Sequence, residues 1–175
     1  WEKRKRKGIT QFEARKLMRE RNYYGSMMVE MGDADALISG ITRNYRATIK
    51  PALEVIGRED GVSKVAGMYI MRTKKGTLFL ADTTINLDPT AEEIADLSAM
   101  IAKKVKQFKV KPRVALLSYS NFGSTRTKDS KKMAKAAEIL KEEYPNLVVD
   151  GEIQGDFALD TEKMQRIFPF SPLAE

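Results

Sequence analysis

The chain has 175 residues, 42% of them hydrophobic and 31% charged, a balance that suits one globular domain with a proper core or two small lobes. Cys and His are both absent, which excludes disulfide frameworks, thiol nucleophiles, Ser-His-Asp triads and the commonest metal ligand, and leaves proton transfer to carboxylates, Lys or Tyr. A net charge of +7 favours an anionic partner, while no stretch approaches the roughly 20 apolar residues of a membrane span, so a cytoplasmic chain with no membrane partner is expected.

In chain order, the basic run Lys3-Arg4-Lys5-Arg6-Lys7 comes first. Such a run reads as a nucleic-acid patch or as a solvated face. No aromatic stacking platform accompanies it, so nucleic acid is the least favoured partner. Thr10 and Glu13 have the spacing of a capping box, and Ala14, Leu17 and Met18 fall on one helical face behind it. Tyr24, Met27, Met28 and Met31 continue that spacing up to Gly32 as core filler. The apolar run 36–40 ends in Ser39-Gly40 and predicts a strand with a phosphate-sized bend. The spacing then predicts a helix over 47–56, with Pro51 tolerated in its first turn. That arrangement puts Thr48 and Lys50 near a helix N-terminus beside Ser39 and Gly40, a candidate anion site.

The polar stretch 57–61 is the expected boundary between a lobe segment, 1–57, and a second lobe, 58–175. Two apolar runs, 65–71 and 77–81, predict a hairpin with Gly76 where positive φ is needed. Asp82, Asn86 and Asp88 follow, but the glycine and terminal glutamate of a calcium loop are missing at the required spacing, so turn-forming side chains are the better reading. Thr90 and Glu93 form a second capping box, and Ile94, Leu97, Ile101, Val105 and Phe108 mark the core face of the helix behind it. Pro112 stops that helix.

The run 114–117 is apolar without alternation, as a strand covered on both faces would be. It opens into Ser118, Ser120, Asn121, Gly123 and Ser124. Backbone N–H groups at such a strand end can meet an anion, and an ordinary polar strand-to-helix loop would look the same. A helix over 129–143 is capped by Asp129 or Ser130, with Met133, Ala136, Ala137 and Leu140 inward. A strand at 147–150 and a helix at 161–167 complete the chain. The fold class is α/β, a three-layer α/β/α arrangement on a mixed sheet, its last two strands parallel.

The strings Lys-Gly-Ile-Thr (7–10), Ala-Asp-Ala-Leu-Ile-Ser-Gly (34–40), Thr-Ile-Lys-Pro-Ala-Leu (48–53), Ala-Asp-Thr-Thr-Ile-Asn-Leu-Asp-Pro (81–89), Pro-Arg-Val-Ala-Leu-Leu-Ser-Tyr-Ser (112–120) and Val-Asp-Gly-Glu (149–152) keep their order along the chain. Together they resemble the phosphate acetyl/butyryltransferase family. The stretches 57–62, 66–68 and above all Ser-Asn-Phe-Gly-Ser (120–124) are most similar to the phosphotransacetylase-like C-terminal region of multidomain NADP-dependent malic enzymes. The resemblance implies a two-lobed fold like that of isocitrate and isopropylmalate dehydrogenases, with coenzyme A or acetyl-CoA in the cleft. It also implies a regulatory, oligomerising role, with NADP and a divalent metal confined to a catalytic region elsewhere in the parent chain. The alternative is an authentic transferase moving an acyl group between coenzyme A and phosphate.

Two departures bear on that choice. The transferases' C-terminal Ser-Arg-Gly motif and the catalytic Asp after it are not reached before Glu175, so no catalytic residue and no metal ligand are assigned. Lys50 stands where the transferases carry Arg, and Lys offers a point charge but no bidentate fork. Arg4 matches a family Arg near the cleft. The ligand positions for acetyl-CoA or an acyl phosphate are then Arg4, Ser39, Gly40, Thr48 and Lys50, together with Ser118, Ser120, Asn121, Gly123 and Ser124. The chain opens on Trp1, so missing ends are expected, and the apolar surface they would leave predicts a homo-oligomer.

Overall fold

The computed structural model describes every residue except Gly61, Ser63 and Lys75. It divides into two compact units, Trp1–Ser63 and Lys64–Glu175.

The first unit is helical throughout its described elements: a 3-10 turn (Lys5–Lys7), α1 (Gln11–Leu17), α2 (Arg21–Met31) and α3 (Tyr45–Val55). The first capping box forms as the spacing requires. Thr10 Oγ1 accepts from the Glu13 amide at 3.2 Å, and Glu13 Oε2 accepts from the Thr10 amide at 2.8 Å. The helical pattern breaks into turns at 18–20, and α2 closes on Gly32, whose φ of 78° suits a residue without Cβ.

The run 36–40 is not a strand. Only helices surround it in this unit, so no neighbouring strand edge is there to take its hydrogen bonds, and Ile38 is 98% exposed. Helix α3 starts at Tyr45, earlier than the spacing implied, because Asn44 caps it by accepting from the Ala47 amide at 2.8 Å. Pro51 therefore lies in the helix interior and not in its first turn. A proline there leaves the carbonyl four residues back without a helical donor. That carbonyl belongs to Ala47, and buried Asn22 of α2 supplies the missing donor from Nδ2 at 3.5 Å. The Asn22 side-chain oxygen accepts from the Ser39 hydroxyl at 2.7 Å.

The second unit opens with an antiparallel hairpin, β1 (Met68–Thr73) and β2 (Gly76–Ala81), whose register pairs Thr73 with Gly76. The strands reach further into the charged linker than the apolar runs implied. Gly76 takes a φ of 136°, as expected, and Lys75 of the turn lies outside the described residues. Asp82 Oδ1 then accepts from the Asn86 side-chain amide at 2.7 Å, so these residues shape a turn. The remaining elements are α4 (Ala91–Gln107), β3 (Arg113–Leu117), α5 (Lys128–Glu143), β4 (Val148–Ile153), α6 (Gly155–Ala158), α7 (Thr161–Ile167) and a closing 3-10 turn (Pro172–Ala174).

Strands β3 and β4 pair in parallel across α5, but the expected single mixed sheet does not form. The described strands make two two-stranded sheets, one antiparallel and one parallel. The hairpin satisfies its own ladder, and its contact with the rest is by side chains, with Phe79 of β2 against Phe108 at 5.6 Å.

Three layers do build up around β3–β4. Leu116 and Val149 face Ala91 and Ala95 of α4 and Ala136, Ala137 and Leu140 of α5. On the other face Ala115, Val148 and Ile153 meet Met164, Phe168, Leu173 and Ala174. The alternation along each strand sends neighbours to opposite cores. Helix α5 is capped by Thr127, two to three residues before the anticipated positions, with Ser130 completing the capping box.

Candidate functional site

The loop after β3 is shaped by β4. At Gly151, φ is 151°, and a Cβ there would lie 2.7 Å from the Leu116 carbonyl oxygen, so only glycine lets the two strands approach this closely. The next residue, Glu152, is 2% exposed and turns its carboxylate into the loop. Its Oε1 accepts from the Ser120 hydroxyl at 2.9 Å and from the Gly123 amide at 2.7 Å.

The remaining polar groups are also engaged. Ser120 Oγ accepts from the Thr125 amide at 3.0 Å, Ser124 Oγ accepts from the Asn121 amide at 3.0 Å, and Asn121 Oδ1 accepts from the Gln154 amide at 2.8 Å. Ser118 Oγ accepts from the Ser120 amide at 3.3 Å. Phe122, at a φ of 46°, sets its ring edge-on to Phe168 at 4.9 Å and Phe170 at 5.0 Å. The nest expected for an external anion thus already holds one of the protein's own. Gly123 and Ser124 remain exposed at its rim.

In the first unit the anticipated ligands have a different centre. Thr48 donates its hydroxyl to the Asn44 carbonyl at 3.1 Å, while Ser39 is tied to Asn22 and Gly40 is exposed with a φ of 142°. Arg4 and Lys50 converge on Glu54: its Oε1 lies 3.2 Å from Arg4 Nη2 and 3.9 Å from Lys50 Nζ. The other oxygen accepts from the Tyr23 hydroxyl at 2.5 Å. Burial pushes the Tyr23 phenol up to about 12, aided by the hydrogen bond to Glu54 and its charge, with Arg4 opposing. Lys50 is an interior residue of α3, one turn before its carboxylate, so it does not mark the helix start. Much of the basic run is paired as well: Lys3 with Glu30, and Lys5 with Glu2 at 2.5 Å and over the Trp1 ring at 5.1 Å.

Sequence reasoning missed Glu54, Tyr23, Asn22 and Glu152. Glu54 had a signal, since it follows Lys50 by one helical turn. Glu152 stood in a quoted string without a role. The ten candidate positions divide evenly between the two units, five in each, and each group has its own partners.

A family model described as phosphate acetyl/butaryl transferase matches residues 1–175. The chain is 38% identical over 174 residues to an NADP-dependent malic enzyme of Haemophilus influenzae, covering 99% of this chain and 23% of that protein. It is 39% identical over 155 residues to a phosphate acetyltransferase of Bacillus subtilis, covering 88% of this chain and 48% of that one. The crystal structure of a phosphotransacetylase from Streptococcus pyogenes superposes with a TM-score of 0.80 at 36% identity, covering 95% of this chain and 52% of that structure. The chain thus spans about a quarter of that malic enzyme and about half of the Bacillus transferase and of the Streptococcus structure.

Proposed function

The chain belongs to the phosphate acetyl/butyryltransferase family, and from that membership we propose that it is the phosphotransacetylase-like regulatory module of a cytoplasmic, multidomain NADP-dependent malic enzyme. In this reading it senses acetyl-CoA and contributes to a homo-oligomer. Oxidative decarboxylation of malate, with NADP and a divalent metal, takes place elsewhere in the parent chain. The two-lobed isocitrate/isopropylmalate dehydrogenase-like architecture belongs to this proposal.

The observation that carries it is the closed loop after β3. Stabilising a transferring acyl group needs preorganised donors free to meet developing negative charge. Here the Gly123 amide and the Ser120 hydroxyl are spent on Glu152, and Phe122 pins the loop into an aromatic cluster. With those donors engaged, the loop does not offer the stabilisation that turnover needs. A second reading, an authentic phosphate acyltransferase, is favoured by the convergence of Arg4 and Lys50 on one carboxylate-sized position.

The test uses the full-length enzyme. Acetyl-CoA should bind and alter malate turnover, with no acetyl transfer to phosphate; transfer at enzymatic rates decides for the second reading. Calorimetric titration of Lys50→Ala should show binding weakened by about 1.5–3 kcal/mol, or roughly 10- to 150-fold, the loss of one charged hydrogen bond. Lys5→Ala should change it far less, because an exposed charge acts only through screened attraction. Equal losses would mean diffuse electrostatics and no pocket.

A further inference from the structure

The cluster in the first unit contains one group that anion binding does not require. Glu54 sits between Arg4 and Lys50 and is held in place by more than those two charges. Its side chain is 23% exposed, and its second oxygen is fixed by Tyr23 of α2. It is therefore a positioned carboxylate and not a solvated tail. Arg4 meets it through Nη2 at 3.2 Å and Lys50 through Nζ at 3.9 Å, neither of them a bidentate contact.

We propose that Glu54 is a built-in competitor that decides which anions the site accepts, excluding carboxylates and yielding only to a phosphoryl group. This rests on the reading that Arg4 and Lys50 meet the phosphate of an acyl-CoA or acyl phosphate. The argument is one of exchange. A carboxylate ligand would replace Glu54 like for like while paying the entropy of association. A phosphoryl group offers more oxygens and can take two parallel bonds from the Arg4 fork while also meeting Lys50. The competitor sets a threshold that either anion must overcome, and of the two only the phosphoryl group has the further contacts to overcome it.

The experiment is calorimetry on the full-length protein with inorganic phosphate and, separately, acetate as probes. Glu54→Gln keeps the shape and an acceptor for Tyr23 but removes the charge. Phosphate should bind roughly 10-fold more tightly, as expected for removing a like charge a few ångströms away near the surface, and acetate binding should become measurable. Unchanged or weaker phosphate binding in Glu54→Gln overturns the proposal. If Arg4→Ala and Lys50→Ala fail to weaken phosphate binding, the ligand reading itself falls, a separable result. Should Glu54→Gln not fold, the wild type decides. Phosphate that displaces Glu54 must change the near-ultraviolet difference spectrum of Tyr23, and a spectrum unaltered at saturating phosphate overturns the proposal.

Discussion

Glu152 shows how one side chain can fix both a loop and its chemistry. A buried carboxylate persists only if its oxygens are met by donors. Ser120, itself fully buried, supplies one of them, and the Gly123 amide supplies another. Ser120→Ala should destabilise the protein by about 1–3 kcal/mol, the cost of leaving a buried polar group short of a partner. Denaturant unfolding measures it, and a change within about 0.5 kcal/mol would show that water or a rearranged loop replaces the hydroxyl. The sequence located this loop through its small polar residues but not the group that fills it. Glu152 comes from the next strand, and its approach depends on Gly151, a contact that no local pattern encodes. Arg4 and Lys50 were legible by their charge and by motif; their convergence on Glu54 needed the packing of Tyr23 against α3.

Among the elements, the helix ends were the most legible. The capping boxes at Thr10 and Thr90 use residues three apart and need nothing from elsewhere in the chain. The run at 36–40 was misread because a strand exists only with a partner, and apolarity alone does not supply one. The cap of α5 was placed two to three residues late because Thr127 competes with Asp129 and Ser130 for the same role, although the helix start itself moved by only one residue. The caps also carry a pH dependence. The Thr10 amide and hydroxyl hold Glu13 below its ordinary value of 4.5, and Lys64, then the Thr90 amide, do the same for Glu93. Glu92 is lowered to about 2, chiefly by its hydrogen bond from Lys135 of α5. Folded values below the unfolded ones mean that this stabilisation is complete above about pH 4.5 and is lost as pH falls through the folded values. Far-ultraviolet circular dichroism should show α1 and α4 weakening between pH 4.5 and 2, and added salt should affect the Glu92–Lys135 contribution more than the capping hydrogen bonds. A flat signal over that range would show that the caps add nothing to folding.

Taken as a molecule, the protein has unequal halves. The second unit places the parallel pair between two apolar clusters, whereas among the described residues of the first those buried are Asn22, Ser26, Pro51 and Val55, with Ile38 and Ile41 fully in solvent. Native-state hydrogen exchange should therefore find the strongest protection in β3, β4 and α5 and a cheaper opening in the first unit. Uniform protection across both units would contradict this.

Within the first unit, Pro51 has a temporal consequence. The backbone bond it removes from α3 is replaced by the side chain of Asn22, which belongs to α2. A peptide spanning α3 alone lacks that donor, so the Ala47 carbonyl gains its protein partner only when α2 is packed beside it. The amides of the two helices should therefore share a single opening event in the exchange measurement. Asn22→Ala should split that event in two, with α3 opening first.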